Sequence, residues 1–175
     1  RRQALRIVVI AGQQPPGAGA AAAAAAAVRD VTTGTQRSVE HRFAGLDHQI
    51  DTYFRVASGR LKLREGDLEN ALIHYERENT RGPKHSKVGL FENTPGSTLK
   101  GILEAALGVD VVVDKRREIH FLGNVKIHLD DVRGLGTFVE IEAIDDDGTR
   151  PLEALRAQCE ELMAAFGIRD EDLLA

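Results

Sequence analysis

The chain has 175 residues, a net charge of −4 and a single cysteine, Cys159. This length suits one domain with a substantial core, and the negative charge excludes the global basic field typical of nucleic-acid-binding domains. One cysteine excludes an intrachain disulfide, and no apolar run approaches the length of a membrane span. We therefore expect a single domain over 1–175 in a cytoplasmic protein, with neither nucleic acid nor a membrane as its partner.

The first 48 residues differ in composition from the rest. Residues 1–50 contain six Arg and no Lys, and residues 20–27 are an unbroken alanine run. An apolar stretch over 5–10 predicts a first strand, and a Gly/Pro-rich break follows over 13–19. Alanine is the best helix former, so we expect a helix over 20–29, although a low-complexity segment is an alternative.

The pattern becomes clearer beyond residue 49. Strands are predicted over 52–56 and 60–64, and the Ser58-Gly59 turn between them indicates a hairpin. A further strand is predicted over 71–78. The polar stretch 79–93, which contains Gly82-Pro83, predicts a mobile loop.

Two helices are predicted in the remaining chain. The first is capped by Ser97 or Thr98, carries apolar residues at helical spacing from Leu99 to Leu107, and ends before Gly108. The second begins near Pro151 and ends at Gly167, and its apolar stripe includes Cys159, which we expect in the core.

Three strands are predicted between those helices, over 109–122, 125–130 and 137–143, with glycine turns between them. The chain therefore contains about eight strands and three helices. This content predicts an α+β fold with a strongly curved antiparallel sheet or barrel.

Several strands place charged side chains at alternating positions, which puts them on one face of each strand. Buried without anions, such cations would repel one another and pay a large desolvation cost, so we expect an anionic ligand. Two more lysines extend the set: Lys84 in the polar stretch, and Lys126, two positions before His128. The candidate phosphate-binding residues are Lys62, Arg64, Arg77, Lys84, Lys115, Arg117 and Lys126.

Three carboxylates lie on two successive predicted strands that are joined by a glycine turn. They are Asp130, Glu140 and Glu142. Hard oxygen ligands of this kind suit Mg²⁺ or Mn²⁺, with water and phosphate oxygens completing the coordination. The alternative is that the carboxylates only form ion pairs with Lys126 or Arg117 inside the fold.

These residues lie within segments that resemble one known family. The segments are Asp51-Thr-Tyr-Phe-Arg-Val, Gly59-Arg-Leu-Lys-Leu-Arg64, Tyr75-Glu-Arg77, Val113-Asp-Lys-Arg-Arg117 and His128-Leu-Asp-Asp-Val-Arg-Gly-Leu-Gly-Thr-Phe-Val-Glu-Ile-Glu142. Together they resemble the CYTH family, which joins class IV adenylyl cyclases and thiamine triphosphatases. The resemblance covers about residues 49–174 and is nearest to the class IV cyclase-like branch.

The resemblance implies an eight-stranded antiparallel β-barrel, a triphosphate tunnel, with helices packed outside. It implies that the cations bind phosphate in the lumen and that Asp130, Glu140 and Glu142 bind Mg²⁺ or Mn²⁺. The family usually opens with a Glu-x-Glu-x-Lys strand, but this chain reads Arg2-Gln3-Ala4-Leu5-Arg6 there. Arg6 stands in the place of the family lysine, and a guanidinium cannot act as a general base.

Three functions follow from the resemblance and from this departure. The first is metal-dependent conversion of ATP to cyclic AMP and pyrophosphate. The second is hydrolysis of inorganic, thiamine or nucleoside triphosphate. The third is non-catalytic binding of a nucleotide or polyphosphate, because the acidic pair and the lysine of the first strand are missing. Each predicts a small-molecule triphosphate as the partner, and a homodimer is compatible with all three.

Overall fold

A computed structural model describes residues 3–12, 26–27, 40–77 and 80–174; for 3–12 it describes the backbone. The strands are β1 (Gln3–Gly12), β2 (His41–Phe54), β3 (Arg60–Gly66), β4 (Ala71–Arg77), β5 (Lys84–Glu92), β6 (Val109–Leu122), β7 (Val125–Val132) and β8 (Gly136–Asp145). Two α-helices, α1 (Leu99–Leu107) and α2 (Leu152–Ala165), and a 3-10 turn, Asp170–Asp172, complete the described elements. No described helix has both the length and the apolar character needed to cross a membrane.

Every strand pairs with its neighbours in the antiparallel direction, and the sheet curls strongly. The strand order is β1-β5-β4-β3-β2-β6-β7-β8, and β1 also pairs with β8, so that the sheet closes into a barrel. The prediction of an α+β fold with a strongly curved antiparallel sheet is therefore confirmed. Closure depends on β1, because this strand lies between β5 and β8.

Strand alternation separates two chemically different faces of the sheet. Along β7, Ile127 and Leu129 are buried on the outer face, whereas Lys126, His128 and Asp130 face the barrel interior. Helix α2 covers the outer face of β7 and β8, and its residues Leu155 and Cys159 are fully buried against that face. The main hydrophobic core therefore lies between α2 and the barrel wall, which leaves the interior free for charge. Cys159 lies in this core, as predicted.

Helix α1 has the predicted bounds but is only partly buried. Gly108 adopts a φ of 73° directly after the helix, a conformation that glycine reaches without a Cβ penalty. However, no residue of α1 is buried, and Ile102 is 60% exposed. Leu99, Leu103 and Leu107 are half-buried, so this helix covers the barrel only partly.

The stretch predicted as a mobile loop contains a strand. Residues 84–92 form β5, which pairs with β4 on one side and β1 on the other. Its interior-facing residues Lys84 and Ser86 are polar, and so are the exposed residues His85 and Lys87 between them. An alternation of apolar and polar residues is therefore missing, because both faces of the strand are polar where it begins.

Two further predictions concern the N-terminal part. Strand β2 begins at His41, eleven positions before the predicted start of 52, and a register irregularity between Phe43 and Gly45 interrupts its pairing with β6. The predicted helix over 20–29 lies outside the described residues except for 26–27, which are helical. The predicted first strand is confirmed as β1.

We expect Leu155→Ala to lower the free energy of unfolding by about 2–5 kcal/mol, because it leaves a cavity between α2 and the barrel. Chemical denaturation at neutral pH measures this change. Ile102→Ala in α1 is the matched control and should change stability by less than about 0.5 kcal/mol, since Ile102 is exposed. Equal losses in the two variants would show that α2 is not the packed helix.

Candidate functional site

The barrel interior is a cavity of about 1220 Å³ whose walls carry most of the predicted site residues. Strand alternation brings the residues together, because each strand directs every second side chain inward. Ten residues of interest line it: Lys62, Arg64, Glu69, Arg77, Lys115, Arg117, Lys126, Asp130, Glu140 and Glu142. The cavity has room for a drug-sized ligand or a nucleotide.

One buried carboxylate, that of Asp51 on β2, collects three of the predicted phosphate-binding cations. Its oxygens accept hydrogen bonds from Lys62 Nζ at 2.8 Å, from Arg64 Nε at 2.9 Å and Nη2 at 3.0 Å, and from Lys115 Nζ at 3.0 Å. Although burial opposes ionisation, the three cations hold the pKa of Asp51 far below its usual range. Burial lowers the pKa of Lys115 to about 8, because the cost of burying its charge outweighs the stabilising effect of the Asp51 carboxylate.

A second carboxylate, that of Glu69 in the turn between β3 and β4, contacts Arg64 again and one further cation, Lys126. Glu69 Oε2 accepts a hydrogen bond from Arg64 Nη1 at 2.9 Å, and Oε1 accepts one from Lys126 Nζ. These cations lower the pKa of Glu69 to about 2, against the effect of burial. The turn is held by Asp47, whose carboxylate accepts hydrogen bonds from the backbone N–H groups of Leu68 and Glu69.

Arg117 on β6 forms ion pairs with two carboxylates of the cavity. Its Nε donates to Asp130 Oδ1 at 2.6 Å, and its Nη2 donates to both Asp130 and Glu140, the latter at 2.7 Å. His128 Nδ1 lies 3.3 Å from Glu140 Oε2. Burial and the Arg117 charge lower the pKa of His128 to about 4, so this imidazole is neutral near pH 7. Its Nε2 is buried without a hydrogen-bond partner among the described residues.

The wall formed by the beginnings of β3 and β5 and the end of β4 is different, because its cations have no carboxylate partner among the described residues. Arg77 Nε is buried and has no hydrogen-bond partner within the described part of the chain, and its guanidinium lies 5.7 Å from the Tyr75 ring centroid. Lys84 is buried and donates from Nζ to the carbonyl of Leu174 at 2.8 Å. Burial, then the charges of Arg77 and Arg60, lower the pKa of Lys84 to about 8.

The structure places the predicted site residues unevenly. Six of the seven candidate phosphate-binding cations line one cavity, whereas Lys84 begins β5 and contacts Leu174 instead of lying on a loop. The three candidate metal-binding carboxylates line the same cavity, but Asp130 and Glu140 are paired with Arg117. Arg6 lies in β1, where only the backbone is described, at a register position opposite Ser86 and Ile144.

Asp51 and Glu69 were not predicted as site residues. Asp51 alternates with Gln49 and Tyr53 along β2, and this period-two run of polar side chains was a signal that the interior face reaches into β2. Glu69 lies in a turn, where no periodicity applies, and an acidic turn residue resembles any solvated one. Only the three-dimensional path of the β3–β4 turn brings it to Arg64 and Lys126.

We expect Asp51→Asn to lower the free energy of unfolding by about 3–5 kcal/mol, because it leaves buried cations without their shared anion. Urea denaturation at pH 7 measures the change. Asp131→Asn is the control: this carboxylate is exposed on β7, next to Asp130, and its loss should cost less than about 0.5 kcal/mol. Equal stability of Asp51→Asn and Asp131→Asn would show that the buried cations do not depend on the Asp51 carboxylate.

Glu69 also predicts a dependence of stability on pH. Its pKa is about 2 in the folded chain and its ordinary value is 4.5, so the unfolded chain takes up a proton at higher pH than the folded chain. The stabilisation is complete above about pH 4.5 and is lost as pH falls towards 2. In acid titrations of unfolding free energy, Glu69→Gln should therefore show a shallower decrease than the parent; an unchanged slope would contradict the ion pairs.

Comparison with known proteins supports the architecture and identifies the family. The fold is similar to that of the PH1012 protein from Pyrococcus horikoshii, with 21% identity, a TM-score of 0.72, and coverage of 96% of this chain and 93% of that one. It is also similar to a proposed adenylate cyclase from Vibrio parahaemolyticus, with 20% identity, a TM-score of 0.71, and coverage of 98% and 93%. The Pct1 RNA triphosphatase of Schizosaccharomyces pombe has 10% identity, a TM-score of 0.53, and coverage of 98% and 86%.

At these identities the similarities show the fold alone. A search of curated proteins found no match at the significance level applied. The family model of the CYTH domain, however, matches residues 24–172, which include seven of the eight strands and both α-helices. The chain therefore belongs to the CYTH domain family.

Proposed function

We propose that this chain binds a triphosphate compound inside the barrel and acts on it. The observation that carries the proposal is the cationic wall around Arg77. Its buried Nε has no described partner, Arg60 lines the same cavity without a described carboxylate, and Lys84, outside the lining, adds positive charge nearby. Phosphate oxygens are suitable acceptors for these donors, because charge-assisted hydrogen bonds to Arg and Lys are strong in an enclosed site.

The part of the cavity around Asp51 supplies positive charge that is already paired with a carboxylate. The Asp51 carboxylate holds Lys62, Arg64 and Lys115 in place, so their remaining N–H donors have fixed positions before a ligand binds. Such preorganised cations stabilise charge that develops on phosphate oxygens in a transition state. The barrel can therefore orient a triphosphate and neutralise it along its length.

The first candidate reaction is cyclisation of ATP. The ribose 3′-oxygen attacks the α-phosphorus, the bond to the bridging oxygen breaks, and pyrophosphate leaves. The family and the fold similarity to a proposed adenylate cyclase support this reading. In this chain the cations would hold the leaving pyrophosphate, whereas the Arg6 guanidinium cannot accept the proton of the 3′-hydroxyl.

The second candidate reaction is hydrolysis of the terminal phosphoryl group. The fold similarity to the Pct1 RNA triphosphatase supports it. It requires water, and not a ribose hydroxyl, near the terminal phosphorus. The two reactions therefore differ in which phosphorus lies beside the nucleophile, and both use the same cationic walls.

A divalent metal, Mg²⁺ or Mn²⁺, is the cofactor that the resemblance implies. The donor set does not fit it well: Asp130 and Glu140 are engaged by Arg117, and no three His, Cys, Asp or Glu side chains of the described residues lie together as a metal site. A non-catalytic binder of triphosphate is the alternative that this geometry favours.

Arg77→Ala should weaken the binding of inorganic triphosphate by roughly 10- to 150-fold, because it removes a charge-assisted contact of about 1.5–3 kcal/mol. Isothermal titration calorimetry measures the dissociation constant. Arg116→Ala is the control, since Arg116 is exposed on the outer face of β6 and should leave binding unchanged.

Product analysis then separates the candidate reactions. The parent chain is incubated with ATP or with inorganic triphosphate, in Mg²⁺, in Mn²⁺ and in EDTA, and the products are resolved by chromatography. Cyclic AMP with pyrophosphate identifies a cyclase, and orthophosphate identifies a triphosphatase. Binding without any product identifies a binder, and the absence of binding overturns the proposal.

A further inference from the structure

The guanidinium of Arg117 lies between the two carboxylates that a metal ion would share. One nitrogen, Nη2, is within hydrogen-bonding distance of both Asp130 and Glu140, and Nε holds the other Asp130 oxygen at 2.6 Å. We propose that Arg117 is a permanent internal cation that takes the place of a divalent metal in this chain. The lumen then holds its anionic ligand without Mg²⁺ or Mn²⁺.

Strand pairing fixes this arrangement. Arg117 and Asp130 are directly opposite each other in the β6–β7 register, so they meet on the same face of the sheet. Arg117 is only 3% exposed, and its surroundings exclude most water. A guanidinium keeps its charge at any pH at which the protein is folded. A metal ion would therefore have to displace several buried charge-assisted hydrogen bonds to reach both carboxylates.

The neighbouring strand adds no oxygen ligand at the corresponding positions. In the β1–β8 register, Ile10 is opposite Glu140 and Val8 is opposite Glu142. Residues that are opposite each other in an antiparallel pair share one face of the sheet. Both β1 residues are apolar, so the protein oxygens of a Mg²⁺ site would have to come from other strands, with water and phosphate completing the octahedral set. The described carboxylates would thus have to form the site without help from β1.

The ion pairs of Arg117 also reduce the negative charge that a polyphosphate encounters in the lumen. Arg117 offsets one of the two negative charges of Asp130 and Glu140, and Lys115 Nζ lies 3.9 Å from Asp130, so cations of the protein already screen these carboxylates without a metal ion. The oxygens of the polyphosphate can bind the cations around Arg77 directly. This consequence rests on the proposed function, whereas the role of Arg117 towards Asp130 and Glu140 does not.

Binding of Mn²⁺ in the absence of phosphate tests the role of Arg117. Free Mn²⁺ is measured by electron paramagnetic resonance for the parent chain, Arg117→Gln and the control Arg116→Gln. We expect Arg117→Gln to bind Mn²⁺ at least about tenfold more tightly than the other two, because Asp130 and Glu140 then lack their cation. Equal or tighter binding by the parent chain would overturn the proposal.

A second pair of variants keeps the test decisive if Arg117→Gln does not fold. The parent chain and Glu140→Gln are titrated with Mn²⁺ under the same conditions. Binding of one Mn²⁺ by the parent that weakens at least about tenfold in Glu140→Gln would overturn the proposal. Weak Mn²⁺ binding that is the same in both chains supports it.

Calorimetry with inorganic triphosphate tests the consequence for the ligand. The dissociation constant in EDTA should be equal to or lower than that in Mg²⁺, since Mg²⁺ competes for the phosphate oxygens. A constant about tenfold lower in Mg²⁺ would overturn metal-free binding. If triphosphate binds in neither buffer, the proposed function fails, and the Mn²⁺ titrations alone decide the role of Arg117.

Discussion

The buried carboxylate of Asp51 is the interaction on which the barrel interior depends. Three cations on β3 and β6 converge on it, and each would be costly to bury without an anion. Asp51 also links β2 to β3 and β6, its two hydrogen-bonded neighbours in the sheet. The charge that prepares the lumen for a ligand is thus the same charge that joins three adjacent strands.

Cations in this cavity do not all require an external anion, because the protein supplies carboxylates of its own. Asp51, Glu69, Asp130 and Glu140 supply negative charge from within, so much of the lumen is compensated before any ligand arrives. The wall around Arg77 and Lys84 is the exception among the described residues. An anionic ligand gains the most binding energy where the cations lack a carboxylate partner. We therefore expect its most negative end to lie at the wall around Arg77.

The sequence allowed prediction of those parts of the fold in which apolar and polar residues alternate. Strand β6 was predicted with its observed bounds, and most interior cations followed from the same period-two pattern. Strand β5 was missed because polar residues occupy both of its faces where it begins. Helix α1 was predicted from a stripe that is only partly buried, since periodicity reports an apolar face and not what covers it. Ion pairing of the carboxylates with Arg117 was the alternative to metal binding that the spacing left open, and Asp130 and Glu140 do pair with Arg117. Only the β6–β7 register shows that Arg117 and Asp130 are directly opposite each other.

The pairing of β1 with β8 connects the composition of the first strand with the chemistry of the site. A carboxylate pair in a barrel needs a compensating cation, and that cation is either a bound metal or a protein side chain. A metal ion would have to take its protein oxygens from other strands, because β1 has Val8 and Ile10 at the register positions opposite Glu142 and Glu140. A guanidinium needs only the two acceptors that Asp130 and Glu140 already supply. The absence of acidic residues from β1 and the pairing of Arg117 with both carboxylates are therefore physically consistent features of one site.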